Sequence, residues 1–125
     1  AEGGKKLYDQ VMADGKIITY GIKFDVNQAT IRPESAGTLA GIAKLMQEQP
    51  SLKFTVEGHT DSDGDDNSNM KLSQLRAEAV KSYLVEQGID TERLAVKGLG
   101  ESSPIDKNNT PEAKAKNRRV EFVKL

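Results

Sequence analysis

With 125 residues and a formal net charge of −1, the chain suits one domain with a single core and has no general attraction for nucleic acid or anionic lipid. Hydrophobic residues make up 36% and charged residues 30%, an ordinary soluble balance, and the scarce aromatics form no basic stripe for stacking single-stranded bases. Without cysteine there are no disulfides or thiolate metal sites, and no apolar run approaches the roughly 20 residues that span a bilayer.

No signal peptide opens the chain, and Ala1-Glu2-Gly3-Gly4 reads as a boundary or the end of a linker. Residues Lys5 to Ala13 suit one or two helical turns closed by Asp14-Gly15, so residues 1–16 are expected to be a lead segment and 17–125 the domain proper. Ile18, Tyr20, Ile22 and Phe24 then alternate with polar or small residues, the period of a strand with one buried face. Pro33 is placed to open a helix whose apolar positions are Leu39, Ile42, Ala43 and Met46, and Pro50 stops it near Gln49. Leu52, Phe54 and Val56 mark a second strand, and Gly58 to Asn69 a polar loop. A second helix is expected from about Met70 to Gln87, with Gly88 as its stop. Leu94 and Val96 mark a third strand, a long polar connection follows, and Val120, Phe122 and Leu125 mark the last. The order β-α-β-α-β-β gives an α+β two-layer sandwich, a mixed four-stranded sheet with two main helices on one face.

Arg76 falls on the apolar face of the second helix, four residues after Leu72 and with Ala79, Val80, Tyr83 and Leu84 beyond. A guanidinium facing inward must meet an anion or lose heavily on desolvation. It serves either a structural salt bridge to Asp61 or another acid, or an anionic ligand. Asp61 closes Gly58-His59-Thr60-Asp61 just past a strand, where turn residues and binding residues both occur. Facing one cleft, Asp61 and Arg76 could bind a zwitterion, ammonium to aspartate and carboxylate to arginine.

The acids Asp61, Asp63, Asp65 and Asp66 match a calcium loop at its first three ligand positions only. Asp66 stands where glycine is needed, and Leu72 where a bidentate glutamate is needed. His59, the single histidine, cannot make a zinc site alone and reads as a satisfied hydrogen-bonding residue. Arg118 and Arg119 read as two solvated charges flanking an edge strand. No serine has a convincing base and orienting group, so nothing reads as an enzyme.

Taken together these residues resemble the OmpA-like family, the wall-binding domains of outer-membrane proteins, peptidoglycan-associated lipoproteins and flagellar stator subunits. Its pattern is carried by Gly58-His59-Thr60-Asp61, Gly64, Asn69, Leu72-Ser73 and Arg76-Ala77 with every interval kept. Upstream, Phe24-Asp25-Val26-Asn27 with Ala29 and Ile31 is similar to the family's first-strand exit. Downstream, Gly98-Leu99-Gly100-Glu101, Pro104 and Asn117-Arg118-Arg119-Val120-Glu121 complete it. Two places depart: Ala113, Lys114 and Ala115 replace the usual Gly-Arg-Ala, and Ser68 replaces an aromatic before the loop asparagine.

The resemblance implies a periplasmic domain, tethered to the outer membrane by a segment outside this sequence. It implies binding of Gram-negative peptidoglycan through the diaminopimelate of the stem peptide, with no cofactor and no nucleic acid. Asp61 would take the ligand's ammonium and Arg76 its carboxylate, while Asn27, Thr60, Asn69, Leu72 and Arg118 line the pocket. The competing reading is a calcium-dependent adhesion or interaction domain using residues 61–67, and a wall hydrolase lacks an acid pair or metal set.

Overall fold

The computed structural model describes residues 2–25 and 27–125, with side chains from Leu7 onward. Ala1 of the opening tetrapeptide, the side chains of Lys5 and Lys6, and Val26 of the strand-exit motif lie outside those described residues.

Helix α1 (Glu2–Asp14) ends at Gly15, whose φ of 72° is the left-handed turn that glycine adopts at little cost. Val11 on α1 is buried in the core. Strand β1 (Lys16–Thr19) follows, and a 3-10 turn at Pro33–Ser35 leads into α2 (Ala36–Glu48). Helix α2 buries Leu39, Ile42, Ala43, Leu45 and Met46 and is capped at Gln49, just before Pro50. Strand β2 (Phe54–His59), α3 (Asp66–Glu86) and β3 (Leu94–Gly100) form a parallel crossover unit. Helix α4 (Pro111–Asn117) then leads into β4 (Arg119–Lys124).

The sheet order is β1-β4-β2-β3, with β4 antiparallel to both neighbours and β2 parallel to β3. The expected mixed four-stranded α+β sandwich is what forms. Phe54 and Phe122 meet edge to face at 6.0 Å between ring centroids, within an apolar layer that includes Val56, Val80 and Leu84. Three glycines set how closely α3 lies on the strands. A Cβ on Gly58 would collide with the Ser73 carbonyl, and one on Gly98 with the Gln74 backbone. Gly100 N–H instead donates to Ser73 Oγ at 2.9 Å, and Ser73 Oγ donates to Met70 O at 2.8 Å.

Several local expectations are corrected. The alternation from Ile18 to Phe24 is not one strand: β1 ends at Thr19 and buries Ile17 and Thr19, leaving Tyr20 45% exposed. Gly21 sits tightly against Thr38, the chain bends there, and Ile22 returns inward on the opposite parity. Helix α3 starts at Asp66 rather than Met70, because the Asp65 carboxylate caps Ser68 N–H at 2.9 Å. Its buried line is Ser73, Ala77, Val80 and Leu84, with Arg76 on the flank of that line. The polar connection before β4 contains α4, opened by a Thr110 cap and Pro111. Leu125 lies outside β4 and is 67% exposed. Finally, β4 is an interior strand, not an edge, so Arg119 is buried rather than solvated.

Candidate functional site

A pocket of about 460 Å³ opens where β2 ends, between the start of α3, the segment after β1 and the α4–β4 junction. Asn27, Thr60, Asp61, Asn69, Leu72, Arg76 and Arg118, scattered across the sequence, all line it.

Arg76 projects from the third turn of α3 and is held by backbone, not by an acid. Its Nε donates to Gln28 O at 2.9 Å and one terminal nitrogen to Asp25 O at 3.3 Å. The guanidinium carbon stands 4.8 Å from the centre of the Phe24 ring, a cation–π contact. The Asp25 carboxylate is engaged elsewhere, accepting from Arg32 at 2.9 Å. Burial lowers the pKa of Arg76 from its ordinary value, and the negative charge of Asp61 opposes that shift. Among the described residues Arg76 has no ion-pair partner, so of the two readings the structural bridge, to Asp61 or to another acid, does not form. A half-buried cation without a counter-ion in an open pocket is a seat for an anion.

Asp61 instead pairs with Arg118, at 2.6 Å from Oδ2, while Oδ1 accepts from Asp63 N–H at 3.0 Å. Its side chain is 13% exposed and that of Arg118 is 52% exposed, so the aspartate is fixed and the arginine is the freer member. Each carboxylate oxygen keeps acceptor capacity for an incoming donor. Thr60 is buried, its N–H donating to Gly100 O at 2.9 Å and its hydroxyl to Asp61 O at 2.8 Å. Asn69 braces the loop, donating to Asp63 O at 2.9 Å. Asn27 takes a φ of 57°, a conformation asparagine tolerates better than most residues, and it stands at the exposed rim. Leu72 supplies a half-buried apolar wall.

The acids read as a calcium loop do not converge. Asp61 goes to Arg118, Asp63 to Lys114 at 3.0 Å, and Asp65 caps α3. Among the described residues the one cluster with three metal-donor groups is Glu57, His59 and Glu121. One of its carboxylates is already balanced twice, by Lys16 at 3.2 Å and Arg119 at 2.7 Å from Glu121. His59 is buried, and its expected satisfaction holds at one ring nitrogen only: Nε2 lies 3.3 Å from Glu57, while Nδ1 has no partner among the described residues.

Sequence reasoning missed Lys23 in the lining, Phe24 as the ring beneath Arg76, and the Lys114–Asp63 pair. Phe24 is part of the strand-exit motif, and Lys114 stands where the family usually has arginine. Their pairing was not visible because each partner lies far away in sequence.

A two-layer α+β module with a preformed, charge-lined pocket at a strand end defines a binding domain. The chain belongs to the OmpA family, whose profile matches residues 23–118. The family is one of structural, non-enzymatic proteins. The chain is 47% identical over 102 residues to the probable lipoprotein YiaD of Escherichia coli, covering 82% of this chain and 47% of that protein. It is 39% identical over 102 residues to the peptidoglycan-binding protein ArfA of Mycobacterium tuberculosis, covering 82% of this chain and 31% of the other. Among solved structures, the cell wall anchor of the type VI secretion system of Pseudomonas aeruginosa superposes with a TM-score of 0.76. It is 25% identical and covers 98% of this chain and 95% of its own. The chain thus spans less than half the length of these two curated relatives.

Proposed function

We propose that this domain binds peptidoglycan non-covalently through the diaminopimelate of the stem peptide. It would thereby anchor the outer membrane, or a membrane protein, to the cell wall from the periplasm. The observation that carries the reading is Arg76, without an ion-pair partner among the described residues, sharing one pocket with the carboxylate of Asp61. Diaminopimelate ends in an amino-acid head, an ammonium and a carboxylate on one carbon. Its carboxylate meets Arg76, and its ammonium meets Asp61 beside or in place of Arg118. Lysine at the same stem position has the ammonium but no carboxylate, so it leaves Arg76 desolvated and unpaired. A relative that is peptidoglycan-binding by name and a solved cell wall anchor of the same fold support the wall as the ligand.

The test is binding of Asp61→Asn and Arg76→Ala to purified sacculi, with folding checked by circular dichroism. Both variants are expected to stay folded and remain in the supernatant. Folded variants that sediment with sacculi as the wild type does would refute the site.

A further inference from the structure

On the strand face turned away from α3, the ends of β2 and β4 carry a charged cluster: His59 and Arg119 border the pocket, and Glu57 and Glu121 stand behind them, outside its lining. His59 lies directly opposite Arg119, and Glu57 opposite Glu121. Two carboxylates facing each other across a strand pair repel, and burying them adds a desolvation cost. Such a pair persists only where nearby cations hold it closely. Arg119 Nε donates to Glu121 at 2.7 Å, and Lys16 of β1 reaches Glu121 at 3.2 Å.

Arg119 spends its remaining donors on the chain beside the pocket. One terminal nitrogen donates to Asn117 O at 3.1 Å and the other to Ser103 O at 2.8 Å. Asn117 and Arg119 flank Arg118, so these bonds fix the short junction from which Arg118 reaches Asp61. Across the strand pair, His59 stands two residues before Asp61. Both members of the Asp61–Arg118 pair thus stand within two residues of one charged cluster.

We propose that Arg119, oriented by Glu121 and His59, is a positioning residue for the pocket it borders, aligning Arg118 and Asp61 through the chain on either side of them. The proposal rests on the pocket being the ligand site. It assigns Arg119 no contact with ligand. The groups facing His59 are Glu57 on its own strand, Glu121 and Arg119 on β4, and Lys16 on β1 through Glu121. His59 Nε2 is 3.8 Å from Glu121, so a proton on the ring draws that carboxylate from Arg119 and sets a second cation beside it. Burial, then the charge of Arg119, lowers the pKa of His59 from its ordinary value. Because the chain has one histidine and its pKa is lowered, a proton-linked change of this cluster is expected as the pH falls below about 6.5.

The test uses E121Q, R119K and H59Q, each measured in two ways. Without ligand, the backbone amides of Asp61 and Arg118 are followed by NMR from about pH 7.5 to about pH 5.5. With a diaminopimelate-containing tripeptide, affinity is measured by calorimetry at both limits. R119K keeps the charge and loses the planar fork, which separates geometry from electrostatics. E121Q and R119K are expected to move both amides and to weaken binding about tenfold at the higher pH. Wild-type amides and affinity are expected to change on acidification, and H59Q to abolish that change. If R119K does not fold, E121Q and H59Q decide the question. Asp61 and Arg118 amides that ignore these substitutions and the pH overturn the inference, whether or not the peptide binds. A wild type that does not bind the peptide counts against the proposed ligand instead, and the ligand-free measurements still decide the positioning.

Discussion

The two faces of the β2–β4 strand pair are built on opposite principles. Toward the helices, Phe54, Val56, Val120 and Phe122 bury apolar surface, and any one contact is replaceable by another of similar shape. Away from them, Glu57, His59, Arg119 and Glu121 are held by specific bonds, and removing Glu121 leaves the buried Arg119 without its acid. The first face decides whether the chain folds. The second decides where Asp61 and Arg118 stand once it has.

The contrast is sharpest at Phe122. Phe122→Ala removes half of the edge-to-face pair and opens a cavity in the centre of the sheet. A loss of about 3–5 kcal/mol is expected in urea unfolding, enough to threaten the domain. Arg76→Ala should do the reverse, costing about 2–5 kcal/mol of binding while leaving most of the stability in place. Its structural contacts are two backbone carbonyls and one ring, all in the segment before α2, so calorimetry and thermal melting together separate the two effects.

Acid should affect the charged face selectively. The pKa of His59 is lowered on folding, so the folded state resists the proton that the unfolded chain accepts near its ordinary value of about 6.5. Stability is therefore full above that value and declines as pH falls below it. H59Q should flatten this part of the stability profile. Burial alone would raise Glu121, but its hydrogen bond to Arg119 and that cation's charge, with Lys16 and His59, hold it below the usual carboxylate value. Its contribution is present above that range and is lost at lower pH. Smallest of all is Lys114→Ala. Lys114 pairs with Asp63, whose side chain is 64% exposed, so the change should cost under about 1 kcal/mol and vanish in high salt.

The helix-side face was legible in the sequence because burial there repeats with the period of the element. Leu39, Ile42, Ala43 and Met46 on α2, and Phe54 and Val56 on β2, are buried as their spacing implies. Where local sterics broke the period, the reading slipped by one residue. The bend at Tyr20–Gly21 exchanged Ile18 and Tyr20 for Ile17 and Thr19 on the buried side. The pocket residues were legible as a motif; Thr60, Asp61, Asn69, Leu72 and Arg76 meet through the crossover from β2 into α3, and Asn27 and Arg118 arrive from the segment after β1 and the α4–β4 junction. The charged face was not legible, since nothing local distinguishes the buried Arg119 from the exposed Arg118. Their difference is made by Ser103, Asn117 and Glu121, and by β4 lying between two partners. Helix α4 was missed for a plainer reason. Its Thr110-Pro111-Glu112 start was present, but Lys and Ala residues over seven positions give almost no apolar period.

The most direct measurement is a calorimetric titration of the domain with a diaminopimelate-containing stem peptide, run beside the same peptide carrying lysine. The expected result is selective binding of the first, in the micromolar to millimolar range (about −4 to −8 kcal/mol), with the selectivity lost in Arg76→Ala. Equal affinity for both peptides would contradict the assignment of Arg76 to the ligand carboxylate.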